Sequence, residues 1–326
     1  MIAAVTGASG HIGANLIRAL IEQKHEVRAL YHLNNKAFEG LDISLVKGSL
    51  ENQESLNELC NGSDIVFHLA AQISIGKTDL KQLLKVNVEG TENVIKACQK
   101  GSVKRMVHFS SIHALNPGHP EAVMDENNAV SLESSSPYER TKAMAEKMAI
   151  DTAQSNGLEI IIVNPTAVIG PLDYEPSYLG QFLIRLVKGK IPGLIEGGYN
   201  WVDVRDVAQG AISAAKNGRN GEKYILSGSW VNLSDLTQLA GKASNKILKL
   251  PMFPGILARI GLPFLQIWAR INKQHPLYTL EALDILKNGN RNISHNKASE
   301  ELNYTSRPML ITLKDTYKWY QTNNYI

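Results

Sequence analysis

Residues 1–22 read MIAAVTGASGHIGANLIRALIE, and the segment Thr6-Gly7-Ala8-Ser9-Gly10-His11-Ile12-Gly13 inside them decides the fold. A short apolar run, Ile2–Val5, precedes the glycines, and the stripe Ile12, Leu16, Leu20 and Ile21 follows them. The run has the length and composition of a strand, and the stripe has the spacing of a helix. Each glycine has a job in such a strand-to-helix turn. Gly7 permits a tight exit from the strand, Gly10 lets backbone approach a pyrophosphate, and Gly13 allows helix and sheet to pack closely. The phosphates would then lie at the positive end of the helix. Three glycines alone are a weak signal; the strand before and the helix after are the context that strengthens it.

Outward from this turn the same rhythm repeats. Apolar runs at Glu26–Tyr31, Ile43–Val46, Ile65–Leu69, Val103–Phe109 and Glu159–Val163 predict further strands. Between them lie stripes of helical spacing, including Val86, Val94, Ile95 and Ala97, and later Ala143, Met144, Met148 and Ala149. Strand and helix in alternation predict an α/β fold, a doubly wound parallel sheet covered by helices on both faces. After Pro165 the pattern changes. Pro165, Pro171, Pro176 and Pro192 punctuate shorter elements. We expect residues 1–165 to form a dinucleotide-binding (Rossmann) domain and 166–326 a smaller, irregular substrate-binding lobe. A helix expected at Val204–Lys216 is a candidate to pack back on the sheet, a strand is expected at Tyr224–Leu226, and 233–244 reads as helix.

The bulk properties are those of a soluble globular protein. The chain has 326 residues, 44% hydrophobic and 20% charged, with a formal net charge of +3. That is enough chain for one large domain or two fused lobes. Lys and Arg form no basic block, which argues against nucleic acid as a partner. Cys60 and Cys98 have neither CxxC spacing nor a nearby His cluster. No disulfide framework or metal site is expected, and a reducing, cytoplasmic compartment is the simpler reading. The N-terminus lacks a basic segment ahead of its apolar run, so no secretory signal is expected. No uninterrupted apolar stretch approaches membrane-spanning length.

NAD-binding turns usually have an acid at the end of the second strand, where it holds the ribose hydroxyls. Here that region carries Arg28, Tyr31, His32 and Lys36, with no acid before Glu39. The pattern favours NADP over NAD, with His32 and Lys36 as candidates for a 2′-phosphate; the alternative is that both are solvated loop residues.

Tyr138 and Lys142 stand four residues apart. On a helix they share a face, and Ser134–Pro137 makes a suitable helix start. A free tyrosine has a pKa of about 10; a neighbouring ammonium favours the phenolate and lowers it. Tyr138 would exchange a proton with the substrate oxygen while hydride moves at the adjacent carbon. A hydroxyl is also needed to orient a carbonyl. Ser110-Ser111 ends the run Met106–Phe109, at the carboxyl end of a strand, where ligands of open α/β sheets bind. We choose Ser111, with Ser110 as the fallback.

Taken together, these motifs resemble the extended short-chain dehydrogenase/reductases, of the epimerase/dehydratase type. The glycine turn resembles the family's TGxxGxxG, His68-Leu69-Ala70-Ala71 its strand-end cofactor motif, and Val86–Thr91 its asparagine motif around Asn87. Ser110-Ser111 and Tyr138–Lys142 resemble its catalytic centre, and Asn164–Pro171 its nicotinamide-side loop. Trp201–Ala208 resembles a later helix start, and Lys297-Ala298 with Leu302–Tyr304 a C-terminal signature. The order covers nearly the whole chain. Within the family the likeness is strongest to the dihydroflavonol 4-reductase-like group, which includes cinnamoyl-CoA and aldehyde reductases.

The resemblance implies a catalytic set of Ser111, Tyr138 and Lys142. It implies a cofactor set of Gly7, Ser9, Gly10, His11, Ile12, Gly13, His32, Lys36, Ser49, Leu50, Leu69, Ala70, Ala71, Asn87, Tyr138, Lys142, Pro165, Ala167 and Val168, with Lys142 on the nicotinamide ribose. Three departures stand out. The group often has Arg where this chain has His32. The family often has Gly-Asp after the third strand, where this chain has Gly48-Ser49. His113 follows closely on Ser111, and either faces substrate or serves the structure.

The reading that follows is an NADPH-dependent reductase of an aldehyde or ketone on an apolar small molecule. The apolar stretch 251–272 supports it, because such a stretch can roof a greasy pocket; a dimer contact or a membrane-surface segment are the other readings of that stretch. Alternatives for the whole chain are a nucleotide-sugar epimerase or dehydratase that retains NAD, with Arg185, Lys188, Lys190 and Arg259 as available cations, a steroid-type hydroxy dehydrogenase, or a non-enzymatic dinucleotide sensor. Family likeness suggests a monomer or homodimer.

Overall fold

The structure is a computed structural model that describes residues 1–73, 79–155, 157–254, 283, 285–286 and 289–326. Arg259, and the stretch 251–272 from residue 255 onward, lie outside the described residues.

Seven parallel strands form the main sheet, in the order β10-β6-β5-β4-β1-β2-β3. They are β1 (Ile2–Thr6), β2 (Glu26–Tyr31), β3 (Ser44–Lys47), β4 (Ile65–His68), β5 (Arg105–Phe109), β6 (Glu159–Pro165) and β10 (Lys223–Leu226). Each predicted strand of the first half is present, with ends moved by two residues at most. The order reverses between β1 and β4, and this switch point is where such sheets open a crevice for ligands.

Burial follows the pleat. Ala3 and Val5 of β1, Val107 and Phe109 of β5, and Ile161 and Val163 of β6 face one helix layer. Their alternating neighbours Ala4, Met106, Ile160 and Ile162 face the other. The first layer contains α1 (His11–Glu22) and α7 (Val204–Asn217), and the two pack on each other. The second contains α2 (Gln53–Cys60), α4 (Gly90–Lys100) and α5 (Pro137–Gln154). Between β4 and α4 the chain forms α3 (Leu80–Leu83) and a π-helical turn, Leu84–Glu89.

The second half is more regular than its prolines suggest. Helix α7 lies against α1, and β10 pairs with β6, so residues well beyond 165 complete the main sheet. A separate three-stranded sheet joins β7 (Ala167–Ile169), β9 (Gly198–Asp203) and β11 (Ser229–Asn232). Met252 and Phe253 form β12 beside β8 (Leu194–Ile195). Around these strands α6 (Tyr178–Val187), α8 (Leu233–Ser244) and α10 (Met309–Thr322) close a second core on Leu183, Trp201, Leu236, Tyr317 and Tyr320. Helix α9 (Asn296–Leu302) packs on α7 and β10. Trp201–Asp203 ends strand β9, and Asp203 then caps α7 by accepting from the Arg205 N–H. The helix-start motif of the sequence is therefore a strand-to-helix corner.

Candidate active site

The glycine turn links β1 to α1. Gly7 has φ +67°, and a β-carbon on it would lie 2.6 Å from the Ala70 backbone nitrogen. Only glycine combines that backbone with so close an approach. A β-carbon on Gly13 would lie 2.3 Å from Gly7 O, so the turn closes directly onto the helix. Gly10 differs: its β-carbon would have a single near neighbour, Gly7 O at 3.2 Å. The space beside Gly10 is open, a cradle that a side chain would fill. Gly10 is also the N-cap of α1, with no side-chain cap, and the first turn carries no acid. Open backbone at a positive helix end fits a pyrophosphate, so these residues suit a dinucleotide. Ser9 is half-buried beside the cradle. The His11 ring is engaged by the chain itself, with Nε2 3.2 Å from Gly170 O and 3.1 Å from Pro171 O. His11 and Ile12 thus offer the cradle backbone.

One polar chain ties this turn to the rest of the site. Thr91 Oγ1 donates to Asn87 O at 2.7 Å, which uses its one proton, and lies 3.1 Å from His68 Nε2. His68 therefore carries its proton on Nε2, and Nδ1 accepts from Thr6 Oγ1 at 2.7 Å. The Thr6 oxygen in turn accepts from the Ala70 N–H at 3.3 Å. Asn87 Oδ1 accepts from the Gln72 N–H at 2.7 Å, while its Nδ2 donates to Gln72 O at 3.1 Å and to Thr141 Oγ1 at 3.2 Å. Asn87, on the π-helical turn, thus clamps the loop Leu69–Gln72 to α5. Burial, aided by the Lys142 charge, pushes His68 down to about 3, and it stays neutral. His108, beside it at 5.5 Å between ring centroids, is held well below the usual imidazole range for the same reasons. Neither ring nitrogen of His108 has a hydrogen-bond partner among the described residues.

Helix α5 starts as its sequence predicts, with Ser136 accepting from the Glu139 N–H and Pro137 in the first turn. Tyr138 is half-buried and Lys142 is 3% exposed. Lys142 Nζ donates to Phe109 O, the end of β5, at 2.7 Å. Burial pushes Lys142 down to about 8, and the carboxyl of Glu146 opposes the fall. Ser111 follows β5; its Oγ accepts from the His113 N–H at 3.2 Å, and its carbonyl accepts from Asn164 Nδ2 at 3.0 Å. Ser111 and Lys142 thus meet at the carboxyl end of β5. His113 Nδ1 lies 3.5 Å from Glu139 Oε1, and Ser134 Oγ donates to Glu139 Oε2 at 2.7 Å. Burial would raise the Glu139 carboxyl, but these two partners hold it below its ordinary value.

The remaining predicted residues lie on several elements. Pro165 ends β6; of the half-buried pair on β7, Ala167 packs against the second core and Val168 against the α1–α7 layer of the first. His32 and Lys36 are exposed past the end of β2. Arg28 is spent elsewhere, donating to Glu58 O, Leu59 O and Asn61 O at the end of α2. Ser49 is half-buried, with its hydroxyl accepting from the Glu51 N–H, and Leu50 is buried against Gly90. Thr6, Thr91 and Asn164 lie inside the quoted motifs but outside the predicted site sets, and Glu146 was in neither. Glu146 was visible as an acid four residues after Lys142, but its burial was not. A charged cleft of about 470 Å³ beside β10, lined by Asp125, Arg219, Lys223 and Lys297 among others, shares no residue with the predicted set.

Comparisons with known proteins identify what the chain as a whole is similar to. Residues 3–227 match the profile of the NAD dependent epimerase/dehydratase family. The chain is 30% identical over 331 residues to sterol demethylase protein B of Methylococcus capsulatus, covering 100% of each chain. It is 32% identical over 333 residues to a Synechocystis sp. protein provisionally named dihydroflavonol 4-reductase, covering 99% of this chain and 95% of that one. The crystal structure of gox2253 superimposes with a TM-score of 0.86 at 29% identity, over 100% of this chain and 99% of that one.

Proposed function

The chain belongs to the NAD dependent epimerase/dehydratase family, within the extended short-chain dehydrogenase/reductases, and from that membership we propose that it is an NADPH-dependent reductase of an aldehyde or ketone on an apolar small molecule. The observation that carries the proposal is the enclosure of Lys142, on the helix whose first turn carries Tyr138 and against the strand end that leads to Ser111.

Bound nicotinamide supplies the hydride in such a reaction. The chain supplies the rest. Tyr138 gives its proton to the carbonyl oxygen as charge develops there. Lys142 lowers the cost of leaving that tyrosine as phenolate. Ser111 accepts one hydrogen bond from backbone and keeps its own O–H to donate to the carbonyl. Gly10 and the first turn of α1 would hold the pyrophosphate, and Leu69–Ala71, clamped by Asn87, would lie along the ribose. Residues 1–165, completed by α7 and β10, are the dinucleotide part; the rest of 166–326 is the substrate part.

An apolar substrate is supported by likeness over the full length to relatives named for sterols and dihydroflavonols. NADPH is supported by the absence of an acid between Arg28 and Lys36, beside the exposed side chains of His32 and Lys36. Calorimetry on protein checked for retained nucleotide tests this first. NADPH should bind at least about tenfold more tightly than NADH, and His32→Ala with Lys36→Ala should erase the difference (one phosphate contact, about 1.4 kcal/mol or more). A screen of apolar aldehydes and ketones with NADPH follows. Tightly retained NAD and no turnover would instead favour the epimerase or dehydratase chemistry that the family name also covers.

A further inference from the structure

Beneath the Tyr138–Lys142 pair lies a carboxyl group for which the reaction above has no use. Glu146 is fully buried, one helical turn beyond Lys142 on α5. Its Oε2 accepts a hydrogen bond from Asn164 Nδ2 at 2.7 Å, and the same amide nitrogen donates to Ser111 O. Lys223 Nζ, from β10, lies 4.0 Å from Oε1. The Ser110 hydroxyl is adjacent.

Lys142 needs such a neighbour. Its ammonium is enclosed, and its hydrogen-bond acceptor, Phe109 O, carries no charge. The titratable groups around it are His68 from β4 and His108 from β5, both neutral, and Tyr138 and Glu146 from α5 itself. Lys223 faces Glu146 from β10, and Ser110 and Asn164 reach it from the ends of β5 and β6. Among the described residues, Glu146 is the acid that acts on the Lys142 charge. A buried cation without a counter-charge is strongly disfavoured.

We propose that Glu146 is the counter-charge that keeps Lys142 cationic inside the fold, and so is a positioning residue for the Tyr138–Lys142 pair. The proposal rests on the reading of that pair as the proton-handling groups. Its test requires neither substrate nor cofactor. Burial pushes the Glu146 carboxyl up, while Ser110, Asn164, Lys223 and Lys142 all favour its ionised form. Glutamine at this position keeps the shape and the acceptor for Asn164 but removes the charge. Lys142 then loses its proton at lower pH, and the Tyr138 phenolate forms at higher pH.

The phenolate absorbs in the ultraviolet. A pH titration of the full chain, with the Tyr138→Phe protein subtracted, isolates Tyr138 from the other tyrosines. Glu146→Gln should raise the Tyr138 midpoint by about one pH unit. Lys223→Met removes a cation that favours the ionised carboxyl and should raise it too, by less. Glu146→Asp keeps the charge and should leave it within a few tenths of a unit. An unchanged midpoint in Glu146→Gln overturns the proposal. Equal shifts in Glu146→Gln and Glu146→Asp also overturn it, since loosened packing rather than charge would then be responsible. If Glu146→Gln does not fold, Lys223→Met decides alone, and no upward shift overturns the proposal. A Tyr138 signal that never appears before unfolding overturns it as well, because no cation would then favour the phenolate. If the carbonyl screen fails while Glu146→Gln moves the midpoint and Glu146→Asp does not, it is the substrate reading that falls.

Discussion

Lys142 Nζ donates a 2.7 Å hydrogen bond to the carbonyl oxygen of Phe109, the last residue of β5. A residue 33 positions away thus anchors the lysine. The bond joins the helix that carries Tyr138 to the strand end that leads to Ser111.

Loss of either end of this arrangement should affect chemistry more than folding. With any carbonyl substrate found in the screen, Tyr138→Phe should lower kcat by about 10²–10⁴-fold, the usual weight of a proton donor. Ser111→Ala should lower it by about 10²–10³-fold, the weight of one donor to a developing oxyanion. Cofactor affinity should stay within a few-fold in both proteins. Calorimetry alongside steady-state kinetics checks this; an equal loss of binding would mean that these side chains hold the cofactor rather than act on substrate.

Gly7 and Gly10 should behave differently although they belong to one motif. Gly7→Ala places a β-carbon against Ala70 backbone at φ +67° and should cost about 2 kcal/mol or more of stability, from strain and overpacking together. Gly10→Val sets its β-carbon 3.2 Å from Gly7 O but has no other near neighbour, so it should cost clearly less stability than Gly7→Ala. It should still weaken nucleotide binding by about tenfold or more, the equivalent of about 1.4 kcal/mol. Thermal unfolding with and without nucleotide separates the two effects.

Asn87→Ala removes three hydrogen bonds between the π-helical turn, the loop at Gln72 and α5. We expect a loss of about 1–3 kcal/mol, because the groups left behind are at least half buried. Amide exchange should quicken at Ala70–Gln72 before it quickens elsewhere in the sheet. Uniform quickening would show that the clamp is global instead.

His68 and His108 should make the protein sensitive to acid. His68 in the fold is pushed down from 6.5 to about 3, and His108 well below 6.5. Below pH 6.5 the unfolded chain binds protons that the fold refuses. Stability is therefore fully present above pH 6.5 and falls as pH drops toward 3. At about 1.4 kcal/mol per pH unit, His68 alone accounts for about 3 kcal/mol between pH 6.5 and 4.5. Since the His108 ring nitrogens make no hydrogen bonds among the described residues, His108→Phe should be nearly neutral at pH 7 and should flatten the acid limb. Urea unfolding at the two pH values measures both; an unaltered slope in His108→Phe would refute the assignment.

How much of this could be read along the chain depends on the range of the interactions. The glycine turn, the parallel strands, the capped start of α5 and the Tyr138–Lys142 spacing were legible because each is written within one or two turns or one strand. The three-stranded sheet of β7, β9 and β11 was not, since its short strands are set by partners about 30 residues apart and carry no long apolar period. Arg28 illustrates the limit at a single residue. Its position in β2, with His32 and Lys36 shortly after, suggested the cofactor side, yet it binds carbonyls at the end of α2, 30 to 33 residues on.

By itself, the sequence determined the class of fold, the glycine turn between strand and helix and the placing of Tyr138 and Lys142 one turn apart on a helix, because periodicity, glycine stereochemistry and helical spacing are local. Only the tertiary structure decided that Lys142 rests on Phe109, that His68 is locked neutral between Thr6 and Thr91, and that Glu146 lies buried beneath the site. These are matters of desolvation and of contacts between distant segments. The energy of a charge depends on what surrounds it in space, and that is settled only when the sheet and its helices close around it.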